Sequence, residues 1–383
     1  MIKKNLLYYT IDMKLIDRYR GCLIGGAAGD ALGYPVEFMS LDEIISEYGK
    51  NGITSYKLKD GIAEISDDTQ MTLFTATGIL LGVTRASMRG ISAAPWDYVR
   101  YSYKDWHRTQ TERYPLGGHH YSWLDDVPDL FSRRAPGNTC LSALASDALG
   151  TVEEPINSSK GCGGVMRVAP VGLYFGRKYN IDTADFIGAE VAALTHGHPL
   201  GYIPAAALTH IITLIVHHGC AIDEAVAAMR TAIWDQEYNS EAVGFFLSMI
   251  EKAVNLAYDK KIDDIKAIRM IGGGWVAEEA LAIAIFCSLR HSDDFGKAIT
   301  AAVNHDGDSD STGAITGNIV GAHLGLEGIP EEWIRKLELK DIIIEIADDL
   351  FHDCHISKYR KEEDTEWKEK YYCNRSVHRL RER

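Results

Sequence analysis

Two short acidic runs hold the residues best suited to chemistry in this chain. One is SDDT, residues 66–69, where Asp67 and Asp68 stand side by side between the hydroxyls of Ser66 and Thr69. The other lies in HDGDSDST, which begins at His305. There Asp306, Asp308 and Asp310 alternate, and Ser309 and Ser311 add hydroxyls. Across 66–69 and 308–311 every side-chain donor is an oxygen, which favours Mg²⁺, Mn²⁺ or Ca²⁺ over zinc. Four carboxylates with hydroxyls are generous for one Mg²⁺, an ion that usually keeps several waters. They suit two ions about 3.5–4 Å apart that share bridging carboxylates. Such a pair orients substrate oxygens and activates a water. Taken singly, each run reads as a helix N-terminus, where carboxylates are electrostatically favoured. The two together carry the metal reading.

The elements that must position these runs have their own pattern. GCLIGGAAGDALG, 21–33, has glycine at every fourth place: Gly21, Gly25, Gly29 and Gly33. The stretch after the second acidic run repeats it with Gly313, Gly317, Gly321 and Gly325. A glycine inside a helix costs roughly 1 kcal/mol relative to alanine. Spacing of four puts all four on one face. The pattern predicts two buried helices whose backbones pack closely, with each other as the expected partner. Two loops look made for phosphates. PGNT (136–139, with Gly137, Asn138 and Thr139) and KGCGG (160–164, with Gly161, Cys162, Gly163 and Gly164) each lead into a helix, whose free N–H groups can hold an anion. Neither is a P-loop. His196, in LTHGHPLG, reads equally as a helix-terminal residue or a site residue. Arg167 offers a cation either to a phosphate or to an acidic neighbour.

Period-two alternation is nearly absent, so the chain reads as all-α. With no clean linker, the expected architecture is a single compact multi-helix bundle over residues 17–356. Residues 1–16 read as an N-terminal extension and 357–383 as a charged tail, helical as far as Tyr372. Further helices are expected at 69–82, from Pro95, and at 183–196, 203–219, 222–234, 241–258, 262–270 and after Gly274. Residues 40–65 read as irregular, and 111–136 as a long loop of the kind that often serves function. A net charge of −14 argues against broad nucleic-acid or anionic-membrane binding. The seven cysteines lack metal-ligand spacing and suit reduced thiols in a cytoplasm. MIKKNLLYYTIDM has too short an apolar core for a signal peptide. The apolar run around 205–219 is interrupted by His210 and is better read as a core helix than a membrane span.

Seven segments, in this order, resemble the ADP-ribosylglycohydrolase family: RGCLIGGAAGDALGYPVEF, ISDDTQMTL, PGNTCLSAL, GCGGVMRVAPVGL, ALTHGHPLGY, GGGWVAEEALAIAI and VNHDGDSDSTGAITGNIVGAHLG. They span residues 20–325. The resemblance implies an orthogonal all-α bundle with a binuclear Mg²⁺ or Mn²⁺ centre. It implies hydrolysis of a glycosidic bond at the anomeric carbon of ADP-ribose. Carried over, the metal ligands are Ser66, Asp67, Asp68, Asp308, Asp310 and Ser311. Glu37 sits beside the metals, with Asp67 and Asp310 as the other catalytic carboxylates. PGNT lies near the diphosphate, 161–164 near ribose or phosphate, and His196 at the substrate cleft. Two departures stand out. Ser311 replaces the usual threonine and keeps the hydroxyl, and Asp306 replaces a small residue and would add charge near the metals.

GCGGVMR and DYVRYSYKDWHRTQ look most like members acting on ADP-ribosyl-arginine. The expected partner is therefore an ADP-ribosylated protein, with Asp97, Asp105 or an acid in 111–136 meeting the guanidinium. Two other readings use the same residues. A metal-dependent phosphohydrolase would release phosphate or AMP instead of ADP-ribose. A binding protein that recognises ADP-ribose or blocks a toxin would release nothing.

Overall fold

The two glycine-striped segments form the centre of the molecule. In the computed structural model, which describes residues 2–235, 238–360 and 363–372, they are the helices Ile2–Gly33 and Ser309–Leu324. They run antiparallel with glycine facing glycine. A methyl group on Gly21 would land on the Gly321 carbonyl, one on Gly25 on Gly317, and one on Gly29 on Gly313. Gly33, at the end of the row, faces the Ser309 backbone. Gly325 closes the row from the other end: it ends its helix with φ +74°, lies against Asp17, and its backbone also faces Gly21. Asn318 fastens the crossing by donating from Nδ2 to the Cys22 carbonyl at 2.8 Å. The contact brings Asp30, one residue past Gly29, against the N-terminal turn that carries Asp310.

Sixteen α-helices and several short 3₁₀ turns make up the described residues, with no named strand. The all-α bundle expected from sequence is therefore the fold. One buried core cluster runs through all the major helices. The helix Pro199–Thr213, extended by a π turn to His218, has the length and apolarity of a membrane span, but it lies almost wholly inside the bundle.

Several boundaries differ from expectation, each for a local reason. The first helix runs unbroken through positions 16 and 17, so no backbone break separates an extension there. Residues 41–48 form a helix inside the stretch read as irregular. Its signal is a capping box: the Ser40 side chain accepts from Glu43 N–H and Glu43 reaches back to Ser40 N–H at 2.8 Å. The SDDT helix continues to Arg89, and the helix expected from 203 starts at Pro199, where proline suits the first turn. The charged tail carries a helix, Thr365–Tyr371, docked through Trp367 and Tyr371; residues 373–383 lie outside the described residues.

Candidate active site

Both acidic runs are helix N-termini, and both point into one buried cluster. Ser66 caps the helix Asp67–Arg89 by accepting from Asp68 N–H at 3.2 Å. Asp308 caps Ser309–Leu324 by accepting from Ser311 N–H at 3.3 Å. Glu37 enters from a third direction, at the end of the 3₁₀ turn Tyr34–Val36 that closes the first helix. Carboxylate oxygens of Glu37, Asp308 and Asp310 lie within 4.8 Å of one another, all buried. Asp67, Asp68 and Ser66 border the same Asp310 carboxylate, and Ser311 donates its backbone N–H to Asp310 at 2.8 Å.

Asp30 completes the cluster and was not singled out in the sequence. It is fully buried and accepts from the backbone N–H of Ser66 (3.0 Å) and Thr69 (3.1 Å), and from the Thr69 hydroxyl. It thus holds the SDDT turn in place from behind. The one available signal was a lone acid in 21–33, a stretch otherwise made of small and apolar residues. The turn is fixed from its other side by Arg134. This arginine donates to the Ile65 carbonyl at 2.9 Å and pairs with Glu338, while Asp67 N–H donates to the Arg134 carbonyl at 3.2 Å.

So many buried acids cannot all be ionised without a counter-charge. Burial, then Asp310, Asp308 and Asp67, push Glu37 up to about 11. Burial and Asp310 raise Asp30 to about 7. Asp67, Asp68 and Asp308 are all held well above the usual carboxylate range by burial and by Asp310. Cations bordering the site are committed elsewhere: Arg134 to Glu64 and Glu338, Lys160 to Glu278, Arg269 to Asp306. Glu37 Oε2 and Asp68 Oδ2 are buried with no hydrogen-bond partner. Orphaned carboxylate oxygens in an all-oxygen cluster of excess negative charge are what divalent hard cations neutralise, so the donor set fits such ions.

A pH dependence follows. The native cluster binds more protons than the unfolded chain, whose carboxyls titrate near 4. Without metal, stability is therefore fully present below about pH 4 in this term and falls as pH rises through about 7, where Asp30 ionises. In EDTA the melting temperature should drop between about pH 5 and about pH 8, and Mn²⁺ should reverse the drop. Equal melting temperatures in EDTA at both pH values would contradict this.

The glycine-rich loops frame the cluster. Gly137 N–H points at Asp67 Oδ2 at 3.4 Å, and Gly137 and Asn138 are exposed at the start of the helix Asn138–Ala145. Thr139 is partly buried, its hydroxyl 3.3 Å from that of Ser159. The loop 160–164 is zipped to 275–277, with Cys162 N–H donating to the Trp275 carbonyl at 3.2 Å and Ala277 N–H to the Lys160 carbonyl at 2.9 Å. The Cys162 thiol donates to Asp308 Oδ2 at 2.7 Å. Gly163 and Gly164 are buried in the turn Cys162–Gly164. His196 lies beneath this loop, its ring facing Gly161 and Gly163 and its Nδ1 2.8 Å from the Thr195 hydroxyl. Burial and the nearby Arg167 charge lower it to about 3.

Three expectations are corrected by the geometry. Asp306 turns away from the cluster: it accepts from Leu41 N–H at 2.7 Å and pairs with Arg269 at 2.9 Å. Its alternate position in the sequence places it outside the helix, where it caps 41–48 instead. Asp105 is buried and spends Oδ2 on the backbone N–H groups of Tyr121 (2.6 Å) and Ser122 (2.8 Å), so it holds the 111–136 loop. Asp97 is half-buried in the first turn of Pro95–Thr111. Arg167 meets neither phosphate nor carboxylate. It is fully buried, donates to Thr195 Oγ1 at 2.6 Å, and lies 4.5 Å from the centre of the Tyr103 ring.

The chain is similar to known proteins over most of its length. The sequence profile of the ADP-ribosylglycohydrolase family matches residues 12–359. The chain is similar to the ADP-ribosyl-[dinitrogen reductase] glycohydrolase of Rhodospirillum rubrum, 28% identical over 331 residues, 85% of this chain and 91% of that protein. It is similar to the ADP-ribosylarginine hydrolase Tri1 of Pseudomonas putida (strain GB-1), 24% identical over 341 residues, 88% of this chain and 78% of that protein. A solved ADP-ribosylglycohydrolase-related protein complex shares the fold, with a TM-score of 0.62, 22% identity, and coverage of 89% of this chain and 99% of that one.

Proposed function

The chain belongs to the ADP-ribosylglycohydrolase family, and from that premise we propose that it releases ADP-ribose from arginine on modified proteins, using two Mg²⁺ or Mn²⁺ ions held by the acidic cluster. The observation that carries the reading is the convergence of Glu37, Asp308 and Asp310 within 4.8 Å, all buried, with Glu37 Oε2 unpartnered. The arginine linkage is supported by the likeness to an ADP-ribosylarginine hydrolase.

Ser66, Asp67, Asp68, Asp308, Asp310 and Ser311 would hold the metals. When bound, divalent ions supply Lewis acidity toward substrate oxygens. The chain's own residues do the rest. Exposed backbone at the start of the helix Asn138–Ala145 would receive the diphosphate, with 161–164 lying near the ribose or phosphates. Asp67 and Asp310 present negative charge to the anomeric carbon, which gains oxocarbenium character as the bond breaks. Glu37, buried beside Asp308 and Asp310 with its Oε2 unpartnered, is placed to hold a proton and give it to the departing acceptor. Cys162 and the buried ring of His196 close the floor of the loop against water.

Glu37→Gln should lower kcat by about 10²–10⁴-fold while KM changes little. The protein should remain folded, because the amide relieves repulsion within the cluster. Full turnover by that variant would remove Glu37 from the mechanism. The overall reading is tested by incubating purified protein with ADP-ribosyl-arginine in EDTA, Mg²⁺ or Mn²⁺ and identifying the product. Metal-dependent release of free ADP-ribose supports it. Release of AMP or phosphate would make the protein a phosphohydrolase, and metal binding without any release would make it a binding protein.

A further inference from the structure

A cavity of about 660 Å³ lies between the helices Asp264–Ile271 and Phe295–Val303 and the turn Glu331–Trp333. That volume suits a small organic molecule. None of the residues assigned above to metal or ADP-ribose lines it. Apolar surface comes from Ile265, Ala301, Pro330 and the Trp333 ring. The acids on its walls are Asp263, Asp264, Asp294 and Glu332, against Lys297 and His291. Two of these acids are committed. Asp264 pairs with Arg290 at 3.1 Å and His291 at 2.9 Å, and Asp294 with Lys297 at 2.8 Å. Asp263 meets one cation, the exposed Lys266 at 3.7 Å, and Glu332 makes no ion pair among the described residues.

The walls therefore favour a cation, but not a metal ion. Among the described residues, the ligand atoms that converge within 4.8 Å are those of Glu37, Asp308 and Asp310, and no acid of this cavity joins such a set. Carboxylates spaced along apolar surface match a charge carried on an aliphatic stem instead.

Trp333 adds a second requirement. It is 6% exposed, and its ring meets Tyr56 edge-on with centroids 5.2 Å apart, yet its Nε1 has no hydrogen-bond partner among the described residues. Buried indole N–H groups normally donate. Here Trp106 donates to Gln70 and Trp367 to Thr84. Gly296 leaves the Trp333 N–H open to the cavity, since a methyl group at Gly296 would stand 3.3 Å from Nε1. Beside a lysine, that N–H calls for an anionic or carbonyl oxygen from the ligand. The ligand thus carries both a cation and an acceptor.

We propose that this cavity binds a basic amino acid. Its carboxylate accepts from Trp333 Nε1 next to Lys297, its α-ammonium meets Asp294 and Glu332, its stem lies on Ile265 and Ala301, and its side-chain cation reaches Asp263. The site is separate from the acidic cluster and does not rest on the hydrolase reading.

The test is calorimetric titration of the full chain with L-lysine, with L-norleucine, which lacks the side-chain cation, and with cadaverine, which lacks the carboxylate. The variants are Trp333→Phe, which keeps the ring and removes the N–H, and Asp263→Asn, which keeps the acceptor for Lys266 N–H. Asp310→Asn reports on the acidic cluster. L-lysine should bind saturably, and norleucine and cadaverine about tenfold more weakly. Trp333→Phe and Asp263→Asn should each weaken L-lysine by about tenfold, while Asp310→Asn leaves it unchanged. No saturable binding of L-lysine up to about 10 mM would overturn the proposal. So would cadaverine binding as well as L-lysine, or L-lysine affinity unchanged in both cavity variants. Loss of binding in Asp310→Asn would move the ligand to the acidic cluster and overturn it as well. Asp263 is exposed, so its variant decides the matter even if Trp333→Phe fails to fold.

Discussion

Asp310→Asn should abolish metal-dependent turnover, by at least about 10³-fold, and should raise the melting temperature of the metal-free protein. The two effects have one cause. Asp310 is the charge that most raises Asp68, Asp308 and Asp67 after burial itself, and it leads the charges acting on Glu37 and Asp30. It is the centre of the repulsion. Asparagine keeps the shape and the acceptor for Ser311 N–H but removes the charge. In EDTA at about pH 8, where the wild-type cluster is most strained, the variant should therefore melt higher. Added Mn²⁺ should raise the wild-type melting temperature well above that of the variant, because only a site that binds metal gains stability by mass action. Thermal scans with and without Mn²⁺, run beside the turnover assay, read both effects. A variant that retains metal-dependent stabilisation and turnover would place the metals elsewhere.

Gly317→Val should leave no folded protein, and Gly317→Ala should cost at least about 3 kcal/mol. A Cβ at this position falls on the Gly25 carbonyl, and both partners are backbone in the middle of long helices. No rotamer change can relieve that overlap, so the helices must separate. Separation also pulls Asp30 away from Ser66 and Thr69, so the surviving Gly317→Ala protein should bind metal more weakly as well. Gly244→Ala is the control. Gly244 lies in the helix Ser240–Tyr258, and nothing stands within 4 Å of where its Cβ would be. There alanine should stabilise by about 0.5–1 kcal/mol through helix propensity. Chemical denaturation of the two alanine variants gives the comparison, and equal effects would deny the glycine ladder its role.

Much of this architecture was legible along the chain, because the signals that set it are periodic or local. Glycine at every fourth place announces a close helix contact wherever it occurs, since only one residue type lets two backbones meet. Asp67, Asp68, Asp308 and Asp310 stand within four-residue runs beside hydroxyls, so their chemistry was readable without knowing what lay opposite. The absence of period-two alternation was enough for the all-α class. Even the missed helix 41–48 had its capping box written in Ser40 and Glu43.

Which carboxylates share one space was decided only by the tertiary structure. Asp306 and Asp308 are two residues apart, yet one pairs with Arg269 at the surface and the other faces Glu37 inside. Asp308 is the N-cap of the helix that begins at Ser309 and faces inward, while Asp306 lies before that cap and stays out. Asp30 and Asp310 are far apart in sequence and become neighbours because their glycine faces dock. Arg167 reads as a cation for either a phosphate or an acidic neighbour, but the bundle closes over it and gives it Thr195 and Tyr103 instead. Phe38 and Trp275 look like ordinary apolar residues until the turn at Gly273 and the end of the first helix bring their rings together in the open. Residue types and spacing determined what chemistry this protein can attempt. The packing of distant backbones determined which of those groups lose water together, and burial of like charges is what makes them a site.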